Sequence, residues 1–212
     1  VEGKSKGVFK TLPEEYKNLP LKDYEDKLII PGMVDLHVHA PQYAFRGMCM
    51  DLELMDWLNQ YTFPEEEKYT NLDYAKKAYS IFTKALKNSA TTRACIFATR
   101  HRDATVLLME LMEETGLVSY VGKVNMDREA SEALIEESAE ASAYNTFGWI
   151  NSINNKFQNT KPILTPRFIP CCTDELMEEL KQIQMTYGIP VQSHLSESPG
   201  EIEFVHFLRP NN

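Results

Sequence analysis

From residue 28 onward the chain alternates short apolar runs with longer amphipathic segments, with no internal sequence repeat. The apolar runs fall at 28–35, 91–98, 118–124, 162–165 and 191–194. Between and after them, apolar residues recur at spacings of three and four over 54–58, 74–86, 104–112, 130–150, 174–187 and 201–208, which predicts helices. Strands that alternate with helices predict an α/β fold with parallel strands and helices packed outside. The runs are almost continuously apolar, as expected of strands covered on both faces. A doubly wound open sheet and a (β/α)8 barrel both satisfy this pattern. No glycine-rich phosphate loop sits at a strand–helix turn, so a nucleotide-phosphate site is not expected.

Residues 1–28 are richer in Lys, Glu, Pro and Gly and form a separate peripheral segment. A formal net charge of −9 repels phosphate backbones and anionic lipid, which argues against nucleic acid or a membrane surface as partner. No apolar run approaches the roughly 20 residues needed to span a bilayer. Cys49, Cys95, Cys171 and Cys172 form no CxxC pair and read as reduced, half-buried thiols of a cytoplasmic protein.

Pro31-Gly32-Met33-Val34-Asp35-Leu36-His37-Val38-His39 carries the densest chemistry. Residues two apart in a strand share a face, so His37 and His39 project together. They stand at the carboxyl end of an apolar strand, where sites of parallel α/β folds lie. His194 closes another predicted strand and supplies a third imidazole. Three such ligands suit zinc, and iron accepts the same set. His101 follows a strand closely enough to line the same mouth, whereas His206 falls on a helix surface. Pro170-Cys171-Cys172 lacks the P-C-x-x-C spacing of cytidine-type zinc deaminases, and both thiols are expected to be structural.

The stretch from Pro31 to His39 resembles the strand-one metal motif of the amidohydrolase superfamily. Ala40-Pro41-Gln42-Tyr43-Ala44-Phe45, Tyr61-Thr62-Phe63-Pro64, Phe97-Ala98-Thr99, Val121-Gly122-Lys123-Val124, Thr165-Pro166-Arg167-Phe168 and Gln192-Ser193-His194-Leu195-Ser196-Glu197 resemble its guanine deaminase branch, in order along nearly the whole chain. The resemblance implies a (β/α)8 TIM-type barrel, with residues 29–212 as about its first five β/α units and 1–28 as a remnant of a small β-sandwich domain. It implies one zinc per site on His37, His39 and His194, a small-molecule substrate, guanine, and a homodimer. It implies Glu197 as the proton-shuttling catalytic acid, and Gln42, Arg167, Phe168 and His194 as substrate contacts. The reaction implied is hydrolysis of guanine to xanthine and ammonia.

The family pattern also includes a His at the end of strand six and an Asp at the end of strand eight, and neither follows His194 in this sequence. The chain is therefore expected to be an incomplete portion of the enzyme. Two other readings stand beside it: a related deaminase or chlorohydrolase acting on another N-heterocycle, and a non-catalytic zinc- or purine-binding fragment.

Overall fold

The computed structural model describes residues 4–210, and the boundary between its two compact units falls between Pro31 and Gly32. Within 4–31 a single 3-10 turn, Glu14–Tyr16, forms, and the Phe9 and Tyr16 rings meet at 6.0 Å. No strand forms among residues 4–31, and residues 1–3 of the expected peripheral segment lie outside the described residues.

Beyond Gly32 the strands β1 (Met33–His39), β2 (Thr91–Phe97), β3 (Val118–Gly122) and β5 (Thr160–Pro162) lie side by side in that order, all parallel. Short strands β4 (Val124–Asn125) and β6 (Thr165–Pro166) extend β3 and β5 past breaks at Lys123 and at Ile163-Leu164, and they pair with each other. A fifth run touches this array through the parallel bridge Leu164–Val191. Neighbours in space are neighbours in sequence, with no reversal of winding. A doubly wound sheet needs such a reversal. The strands are thus an arc of a (β/α)8 barrel, carrying the first five of its strand–helix units.

The helices form where the sequence provides both a cap and an apolar stripe. Helix α3 (Leu72–Lys87) starts at Asn71, whose side chain accepts from the amides of Asp73 and Tyr74, and it buries Ala75, Tyr79, Phe82 and Leu86. Helix α4 (Arg102–Thr115) ends at Gly116, and α6 (Asp174–Tyr187) ends at Gly188. Both glycines adopt positive φ, 75° and 64°, which a side chain would strain. With α5 (Ala139–Ser152), these helices bury Leu108, Met112, Trp149, Leu176 and Leu180 in one core with Ile96 and Val121 of the strands.

Three elements depart from the sequence pattern. The helix expected over 54–58 runs further: α1 (Leu54–Trp57) passes through a π-helical turn, Leu58–Thr62, into α2 (Phe63–Glu67). Pro64 has no N–H for the α-helical ladder, and the wider turn accommodates that defect. The helix expected over 130–150 begins only at Ala139, capped by Ser138. Buried Lys123 draws Glu136 inward to 2.7 Å, which holds the preceding residues in a loop. Strand β1 is Met33–His39, so residues 28–32 of the first apolar run lie outside it, and Leu36 on it is 72% exposed. The cysteines differ as well, since Cys171 and Cys172 are fully buried while Cys49 and Cys95 are half-buried.

Gly122, level with Phe97 in the register, permits the close approach of β3 to the break before β6. A Cβ there would lie 1.8 Å from Thr165 Oγ1 and 2.7 Å from the Ile163 carbonyl oxygen. Gly122→Ala is expected to destabilise the fold by about 1–3 kcal/mol through overpacking, read as a lowered denaturation midpoint at unchanged m-value.

Candidate active site

The alternation along β1 sends His37 and His39 to the same side, at the end level with Phe97 of β2. His194 reaches the same place from the fifth run, 155 residues further along the chain. The ring centroids of the three histidines lie 4.8–5.1 Å apart in each pairing. One ring nitrogen from each falls within 4.8 Å of the others. Phe97, fully buried, forms the floor, with its ring 4.4 Å from His39 and 4.6 Å from His194.

Hydrogen bonds fix how these rings are presented. The carbonyl oxygen of Arg167 lies 2.7 Å from His194 Nδ1, so that nitrogen carries the proton and donates. In neutral His194 this leaves the Nε2 lone pair free, and it faces His39 Nε2 at 2.9 Å. His39 Nδ1 is buried and has no partner. Burial, and then the charge of Arg167, hold the His39 pKa well below its ordinary value. Burial pushes His194 down to about 4, opposed by the Arg167 carbonyl.

This donor set fits a divalent cation. Nitrogens bound to one zinc at about 2.0–2.1 Å lie roughly 3 Å from each other, close to the separation of the His39 and His194 nitrogens. His39 and His194, held neutral at pH 7, offer lone pairs without first releasing protons. An ordinary histidine protonates near pH 6.5, whereas His194 does so near 4. Protonation of His194 is therefore expected to compete with zinc for this ring only as the pH falls through about 4. An NMR titration of the His194 ring in the zinc-free protein checks this, and a midpoint already at 6.5 would contradict it.

The histidines border a cavity of about 580 Å³. Gln42, Arg167, Phe168 and Glu197 line it as well. Gln42 sits on the 3-10 turn Pro41–Phe45 that directly follows β1. Arg167 and Phe168 follow β6 and are both buried. Glu197 is exposed at the wall, and its pKa is raised by partial desolvation first and then by the nearby Glu201 carboxylate. His101 does not line this cavity, contrary to expectation. Its amide donates to Thr99 Oγ1 in the turn after β2, and its ring lies near Arg100, Lys123 and Glu136. His206 is exposed on α7 (Pro199–Leu208). The thiols of Cys171 and Cys172 are pushed up by burial and bond to the carbonyls of Glu129 and Asn125, away from the imidazoles.

Two carboxylates escaped the reading of the sequence. Glu201 is buried and accepts from the amides of Ser196 and Glu197, which anchors the loop that carries Glu197. Its only sequence signal is the S-x-x-E spacing from Ser198, the N-cap of α7. Glu66 is wholly buried and accepts from both terminal nitrogens of Arg167, at 2.7 and 3.1 Å.

The pattern of the amidohydrolase family matches residues 28–208, and the chain belongs to that family. Within it, the similarity is to guanine deaminases. Guanine deaminase of Rattus norvegicus is 42% identical over 87% of this chain and 41% of its own length. That of Escherichia coli is 35% identical over 91% of this chain and 43% of its own. A crystal structure of guanine deaminase from C. acetobutylicum with bound guanine superposes with a TM-score of 0.93 and 45% identity, covering 100% of this chain and 50% of that one. Triazine hydrolase structures, 14–16% identical with TM-scores of 0.63–0.69, share the fold. The chain spans less than half the length of the curated relatives it matches.

Proposed function

We propose that this chain carries the metal- and purine-binding part of a guanine deaminase, which hydrolyses guanine to xanthine and ammonia. The observation that supports this reading is the meeting of His37, His39 and His194 at the edge of one cavity that Gln42, Arg167, Phe168 and Glu197 also line. His37, His39 and His194 would hold the zinc, which when bound acts as a Lewis acid and makes water nucleophilic at neutral pH.

The chain's own residues do the rest of the work proposed here. Arg167 donates to O6 and N7 of the purine, the pairing a guanidinium makes with guanine elsewhere. The Phe168 ring packs against the heterocycle. The Gln42 amide donates and accepts along the pyrimidine edge. Glu197, with its pKa raised, keeps a proton closer to neutral pH than an ordinary carboxyl and delivers it to the ring nitrogen; recharged by a proton that the attacking water gives up, it delivers a second one to the departing amine. The family's further His and Asp are proposed to come from sequence beyond His194. Residues 1–28 are assigned to the β-sandwich, and the working form to a cytoplasmic homodimer.

The test is turnover by the protein that contains this chain, loaded with zinc, against guanine, 5′-deoxyadenosine and a triazine. A relative from Methanocaldococcus jannaschii, 29% identical, is a 5′-deoxyadenosine deaminase, which makes that substrate the informative rival. Guanine is expected to have the highest kcat/KM. Faster turnover of either rival would overturn the substrate assignment. Guanine binding with no xanthine formed would favour the non-catalytic reading.

A further inference from the structure

We propose that Glu66 is a positioning residue that decides which edge of the Arg167 guanidinium faces the cavity, and thereby sets the preference for a 6-oxo over a 6-amino purine. The inference rests on the guanine reading and goes beyond it, to what holds the recognition group in place.

Glu66 lies on α2, 101 residues before its partner, and both side chains are withdrawn from water. Its Oε2 accepts from Arg167 Nη1 at 2.7 Å and its Oε1 accepts from Nη2 at 3.1 Å. This is the forked arrangement in which carboxylate and guanidinium share a plane and neither turns freely. The Phe63 ring packs against the guanidinium at 5.1 Å, and Met126 Sδ takes a second Nη1 hydrogen at 3.8 Å. A guanidinium has five N–H donors. Two go to Glu66 and one to Met126, which leaves the Nε–H and one Nη2–H, adjacent donors along the side of the fork. A ligand suited to that edge offers two neighbouring acceptors, as O6 and N7 of guanine do. A 6-amino purine puts a donor where O6 would be, and two donors then face each other.

Glu66 also balances the charge of a buried cation, so a purely structural role must be told apart from positioning. Steady-state kinetics of the full-length, zinc-loaded protein can do this, with 2,6-diaminopurine as competing ligand. In Glu66→Gln the KM for guanine is expected to rise at least about tenfold while kcat changes much less, because ground-state recognition is what is lost. Discrimination against 2,6-diaminopurine is expected to fall in parallel, and Glu66→Asp to restore part of both. A structural role would lower the melting temperature and the active fraction and leave KM and discrimination unchanged; that result overturns the proposal. Should Glu66→Gln fail to fold, Arg167→Met is compared with Glu66→Gln/Arg167→Met, which leaves no unpaired cation. Equal KM values support action through Arg167, and a further rise in the double variant overturns it. An unsubstituted protein that neither binds nor deaminates guanine removes the functional reading and this proposal together. Normal turnover with KM indifferent to Glu66 removes this proposal alone.

Discussion

Replacing His194 with alanine is expected to weaken zinc binding by more than about 100-fold and to abolish xanthine formation. Loss of a residue that merely orients a metal ligand already costs about 10–100-fold in affinity or activity. His194 is placed as a ligand, and its removal strips the trio of the nitrogen that faces His39 at 2.9 Å. It also removes the ring's bond to the Arg167 carbonyl, which holds His194 in one tautomer and which still accepts from the His194 amide and the Ser193 hydroxyl. The fold should tolerate the change, because the ring is only half-buried and the backbone bonds of this run, including that from the His194 amide to the Arg167 carbonyl, do not depend on it. Dialysis against a zinc chelator, with circular dichroism as the control for folding, measures the effect. Unaltered zinc retention in a folded variant would remove His194 from the site.

The largest stability effect is expected at Lys123, where the chain buries a cation next to the break between β3 and β4. Lys123 Nζ donates to Glu136 at 2.7 Å and to the Val124 carbonyl at 3.2 Å, and both side chains of the ion pair are 1% exposed. Burial lowers the lysine pKa, and the Glu136 charge opposes that shift. Glu136 further accepts from Ser142 at 2.5 Å, and the Asn125 amide meets the Ser142 and Thr146 hydroxyls at 2.7 and 2.8 Å. The network ties the loop before α5 to the strand ends. Removing one partner leaves the other charge buried and unpaired, so Lys123→Met is expected to cost about 3–5 kcal/mol. Adding Glu136→Gln, which removes the orphaned charge but keeps an acceptor for Ser142, is expected to recover part of that loss. Chemical denaturation of the two variants decides the matter. A single variant within about 0.5 kcal/mol of the parent, as for an ordinary surface site, would show that the pair does not hold this region.

What the sequence disclosed depended on how local each signal was. The pair His37 and His39 was legible because a strand's period of two forces both onto one face. His194 was legible as the end of a second apolar run, and its meeting with the pair follows from parallel strands that share a carboxyl end. The choice between barrel and open sheet was not legible from periodicity, since it depends on the order of strands in space. Glu66 stayed hidden because it lies in the run Glu65-Glu66-Glu67, which reads as a solvated face. Only its contact with Arg167, far along the chain, marks it as interior. The late start of α5 was hidden for the same reason, because the attraction between Lys123 and Glu136 outweighs a helical pattern that includes residues 130–138. His101 shows the opposite error: closeness to a strand end in sequence did not bring its ring to the cavity.

The most direct test of the metal assignment is zinc K-edge X-ray absorption on the zinc-loaded protein, with stoichiometry measured on the same sample. One zinc per chain is expected, with imidazole scattering from His37, His39 and His194 at nitrogen distances of about 2.0–2.1 Å, diminished in His39→Ala. Substoichiometric zinc, or a shell of water oxygens with no imidazole contribution, would contradict it.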